Sequence, residues 1–142
     1  MAQDNLRQIF LKIRHINDLS LKEFDSSLDG CSATGTQFGV LRNIPPDGTN
    51  MSTLVQKVSC VASNMTTLIQ RMEKNNLVVT NKNPHDMRET FVRITENGRS
   101  IRAEMEKYYQ RFLEKYYGGL SEKENELLLE LLNRLEKSLE KS

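Results

Sequence analysis

At Asn75-Asn76 the chain changes its hydrophobic period, and this change constrains the fold more than any other feature. Before it, Met65, Leu68, Ile69 and Met72 recur at i, i+3, i+4 and i+7, the apolar stripe of one α-helix. Asn76 can adopt the left-handed conformation that ends a helix. After it, LVVTNK and ETFVRIT are rich in β-branched residues and flank NPHDMR. That pattern predicts a β-hairpin with a loop longer than two residues.

The rest of the chain reads as helices around this change. Residues 4–28 carry Leu6, Ile9, Phe10, Ile13 and Ile16 at helical spacing, and Gly30 stops the helix. Thr34 to Ile44 predicts a short second helix, with Phe38 and Leu41 inward. PPDGTN is a loop. Ser52 is a candidate N-cap for a third short helix, with Leu54, Val55 and Val58 facing inward, and Ser59-Cys60 forms a tight break. Beyond the hairpin, Thr95 caps a helix from Glu96 to about Tyr117, and Gly118-Gly119 stops it. Ser121 and Glu124 form a capping box for a last helix, which holds more leucine than one flank of a monomer needs.

Two short helices joined by a tight turn and followed by a hairpin make a winged helix-turn-helix. The fold class is therefore mainly α with a small β-hairpin wing (α+β). A helical dimerisation layer is drawn from both termini. The expected divisions are an N-terminal dimerisation helix at 1–33, the winged module at 34–98 and C-terminal dimerisation helices at 99–142, in one structural domain.

The outer face of the helix before Asn75 suggests a function. A B-DNA major groove is about 12 Å wide and admits one helix, whose outer face must carry groups that reach base edges and phosphates. Ser63, Thr67, Gln70 and Lys74 form one line, with Asn64 and Arg71 beside it. Asn and Gln can pair with adenine, Arg with guanine, and Ser or Thr with bases or phosphates. On the hairpin, Lys82, His85 and Arg88 offer positive or polar groups, and Asp86 stands where it can hold Arg88. Arg at such a tip suits a flanking minor groove.

Charge distribution agrees. Residues 1–41, 42–102 and 103–142 carry −1, +4 and −2, against +1 for the chain. The middle favours an anionic partner. No apolar run is long enough to span a membrane, no signal-peptide pattern opens the chain, and a cytoplasmic location is expected. Cys31 and Cys60 do not make a disulfide framework, and no metal, cofactor or catalytic motif is found, so neither an enzyme nor a cofactor is expected. Cys60 reads as a structural thiol. Cys31 is a candidate redox sensor, although Asp29 disfavours its thiolate.

At these residues the sequence resembles the MarR family of bacterial transcription regulators. The resemblance rests on STLVQKVSC, RMEKNNLV, DMR at Asp86–Arg88 and ITENG at Ile94–Gly98, in the family's order. It implies a homodimer that reads a palindromic site and acts as a repressor, relieved by a small-molecule effector or by oxidation. Ser63, Asn64, Thr66, Thr67, Gln70 and Arg71 would face the major groove, and Arg88 with Asp86 would form the wing tip. The chain departs from the pattern at Thr67 and Met87, where basic residues are frequent, at Asn76, which replaces Gly, and at Val61, a common Ser/Thr cap position. The alternative function is a winged-helix protein-interaction module that does not bind DNA.

Overall fold

The computed structural model describes residues 2–28, 30–58 and 62–141. Six helices and three strands follow in order: α1 (Ala2–Ser27), α2 (Gly35–Arg42), β1 (Thr49–Asn50), α3 (Met51–Val58), α4 (Ala62–Lys74), β2 (Val78–Asn83), β3 (Asp86–Ile94), α5 (Glu96–Tyr117) and α6 (Glu122–Glu140). The chain divides into two compact units, Met1–Tyr108 and Tyr109–Ser142.

In the first unit, a three-stranded antiparallel sheet in the order β1-β3-β2 packs with short helices. The core takes Leu41 from α2, Leu54 from α3, Met65, Ile69 and Met72 from α4, and Val92 from β3, all essentially inaccessible to solvent. Full burial of each such side chain stabilises the fold by roughly 1.5–3 kcal/mol. Phe24 near the end of α1 lies 5.9 Å from Phe38 of α2, ring centre to ring centre. Local signals set the starts and stops. Thr34 and Gln37 make a reciprocal capping box at the start of α2. The Arg102 guanidinium donates to the Leu41 carbonyl at 3.2 Å, placing positive charge at that helix's C-terminal end. Gly48 has φ of +90°, and a Cβ there would meet Phe91, Arg93 and the Val92 carbonyl. Glycine thus lets the loop approach the sheet.

In the second unit, the capping box of Ser121 and Glu124 opens α6, as the sequence predicts. Phe112 packs on Tyr116 and Tyr117 at ring-centre distances of 5.3 and 5.9 Å. Among the described residues, no helix is long and apolar enough to cross a membrane.

Three sequence expectations are corrected. Ser52 does not cap α3; it lies inside that helix, which starts at Met51, and its hydroxyl donates to Glu89 instead. The loop PPDGTN ends in a short strand, because Thr49 and Asn50 pair with Val92 and Phe91. The hairpin turn is only Pro84-His85, since Asn83 already pairs with Asp86. The extra residues form an irregularity in β3 rather than a longer loop. The expected break at Ser59-Cys60, and Val61, lie outside the described residues.

Candidate nucleic-acid interface

Helix α4 is two-faced in the way its sequence predicts. Met65, Ile69 and Met72 are buried and Leu68 is half-buried, while Asn64, Thr67, Gln70, Arg71 and Lys74 are exposed. The side chain of Ser63 lies outside the described residues. The structure therefore brings five of the predicted groups onto one open face. Thr66 is exposed but sits on the flank, where its hydroxyl donates to the Met51 sulfur at 3.6 Å. Glu73, two turns further along the same flank, accepts from the Thr80 N–H at 3.2 Å and from its hydroxyl at 2.8 Å. These flank contacts tie α4 to α3 and to β2, leaving the outer line to point away from the unit.

The end of α4 fixes where the wing begins. Asn76 has φ of 59°, its N–H bonds the Glu73 carbonyl at 3.0 Å, and the Leu77 N–H bonds the Met72 carbonyl at 2.8 Å. This pair is a Schellman stop, with Asn in the left-handed position. The Thr95 hydroxyl donates to the Asn76 and Leu77 carbonyls at 2.7 and 3.1 Å, closing the base of the hairpin.

On the wing, Lys82, His85 and Arg88 are exposed and Asp86 is half-buried. The Arg88 side chain is 92% exposed. Its backbone N–H and its Nε both donate to Asp86 Oδ1, at 3.1 and 3.3 Å. The carboxylate therefore orients the guanidinium and leaves its terminal nitrogens open to an anion. Three side chains that the sequence reading does not single out, Asn50, Asn83 and Glu89, support the same region together with Ser52. Asn83 Nδ2 donates to Asn50 Oδ1 at 2.8 Å, and Ser52 Oγ donates to Glu89 Oε2 at 3.1 Å. Asn-Pro at 83–84 is a turn signal that could have singled out Asn83. Its partner, 33 residues away, had no local signal.

Cys31, half-buried, is a free thiol; Cys60 lies outside the described residues. Among the described residues, no group of three His, Cys, Asp or Glu is placed to hold a metal ion.

A fold of this kind, with a polar outer helix face and a basic wing, defines a winged helix DNA-binding domain, and residues 34–98 match the family model of that description. A MarR-like transcription regulator from Bacillus cereus ATCC 10987 is 34% identical, with a TM-score of 0.84 over 95% of this chain and 98% of that one. The chain belongs to the MarR family of winged helix-turn-helix transcription regulators. It is also 28% identical over 93 residues to YdgJ of Bacillus subtilis (strain 168), an uncharacterised HTH-type transcriptional regulator. That match spans 66% of this chain and 57% of YdgJ. The MepR–DNA complex from S. aureus shares the fold, with a TM-score of 0.83 at 19% identity over 91% of this chain and 96% of MepR. These relatives are transcription regulators rather than enzymes.

Proposed function

We propose that this chain is a sequence-specific DNA-binding repressor that works as a homodimer on a palindromic site and is released by a small ligand or by oxidation. The observation that carries this reading is the outer face of α4. Its short polar groups and two cations are exposed together, while the opposite stripe is locked in the core. Short groups let the helix approach a groove floor closely. Thr67 is neutral, so Arg71, Lys74 and Arg88 supply most of the charge toward phosphate.

Exposed apolar residues support the homodimer. On α1, Leu6 is 67% and Phe10 61% exposed, far beyond what an isolated helix face needs, and in the second unit α6 exposes Leu128, Leu131, Leu132 and Leu135. A second copy would cover these surfaces and hold two α4 helices roughly 34 Å apart, one turn of DNA. Family membership supports the effector, and the free thiol of Cys31 supports an oxidative input. A wing on protein rather than DNA is the competing outcome.

The test is selection of duplexes from a random pool, followed by binding measurements on variants. Arg88→Ala is expected to weaken binding to all sequences. Gln70→Ala is expected to relax base preference at about 1–3 kcal/mol for one position. If neither substitution alters binding to a selected duplex, the assigned DNA face is wrong.

A further inference from the structure

The hairpin stays in register from Val78 opposite Ile94 to Lys82 opposite Thr90, then breaks, because Asn83 faces Asp86. Met87, Arg88 and Glu89 therefore form an arc of β3 with no residue opposite them in β2. No backbone ladder fixes such an arc, so side-chain ties must hold it.

The ties converge on one place. The His85 N–H donates to Asn83 Oδ1 at 2.9 Å, and the other end of the same amide, Nδ2, donates to Asn50 Oδ1 at 2.8 Å. Asn50 is itself anchored: it ends β1, pairs with Phe91 and directly precedes α3. From the first turn of α3, Ser52 holds Glu89 at the far end of the arc. Both ends of the Arg88 arc are thus tied to the start of the helix-turn-helix. Asn83 uses donor and acceptor at once; Asp would lose the donor and Ala both.

We propose that Asn83, held by Asn50, is a positioning residue that sets where Arg88 meets DNA. Wing and helix-turn-helix then present their contacts as one rigid piece, and the guanidinium pays less ordering entropy on binding. The proposal rests on the DNA-binding reading above.

A double-mutant cycle tests it, using the full chain and a labelled duplex selected by the unmodified protein from a random pool. Asn83→Ala is expected to weaken affinity about three- to tenfold, the range of one neutral hydrogen bond. In an Arg88→Ala background the same change is expected to cost less than about twofold, because the residue it positions is gone. The drop in melting temperature should be the same in both backgrounds. Asn50→Ala, which keeps the tie to His85, is expected to give the same cycle, and decides the matter if Asn83→Ala does not fold. Equal weakening in both backgrounds would mean a merely structural role and would overturn the proposal. So would unchanged affinity with Arg88 present, even though the unmodified chain selects a duplex. An unmodified chain that selects nothing would overturn the DNA-binding reading and this inference with it.

Discussion

Asn76 ends α4 and Gly98 lies in the first turn of α5 against Leu77, and each is demanded by local geometry. At φ of 59°, Asn76 tolerates a conformation that a β-branched side chain does not. Asn76→Val is expected to cost about 1–2 kcal/mol in denaturant unfolding, whereas Asn76→Gly should stay within about 0.5 kcal/mol. A Cβ on Gly98 would run into the Leu77 carbonyl, a backbone atom that cannot swing aside. Gly98→Ala should therefore destabilise by about 1–3 kcal/mol, measured the same way. The role of Asn76 is legible in the sequence because the left-handed preference belongs to the residue itself. That of Gly98 is not, because the carbonyl it must clear lies 21 positions earlier and is close only after folding. Thr66 shows the same limit. The resemblance alone assigns it to the groove, and the contact of its hydroxyl with Met51, 15 positions earlier, has no local signal.

At the level of elements, the strongly periodic segments were readable. The apolar stripe of α4, the caps at Thr95 and Ser121, and the stop after Tyr117 all follow from short-range rules. What escaped were features made by pairing. Two residues cannot display a period, so Thr49-Asn50 becomes a strand only because Val92 and Phe91 lie opposite. The residues around Arg88 read as a loop, yet the ladder re-forms at Asn83 and Asp86 and leaves them as an arc in β3. The cap of α6 carries a pH prediction. The Ser121 backbone N–H and then its hydroxyl bond the Glu124 carboxylate and hold its pKa below the ordinary value. A pKa depressed on folding adds stability above the unfolded pKa and loses it as pH falls through the folded one. The first turn of α6 should accordingly fray on acidification through the carboxylate range, read from the Ser121 amide by NMR. Glu124→Gln keeps the reciprocal cap and should remove that pH dependence; an unchanged profile would place its origin elsewhere.

For the whole molecule, the exposed leucines of α6 and the apolar residues of α1 make the oligomeric state the first consequence to check. Light scattering at micromolar concentration should give twice the chain mass. Phe10→Glu, a charge on a surface that a second copy would cover, should shift the equilibrium toward monomer and weaken binding to a two-half-site duplex. A monomer under these conditions would remove the two-half-site arrangement while leaving the winged module intact. The central claim is that the exposed face of α4 and the wing read DNA by sequence, and the salt dependence of affinity tests it most directly. Binding is measured from low to physiological salt on the selected duplex and on a scrambled duplex of equal length. The prediction is that log affinity falls linearly with log salt on both, with the selected duplex held about a thousandfold or more tighter at physiological salt. An affinity that is flat in salt, or equal for the two duplexes, would contradict it.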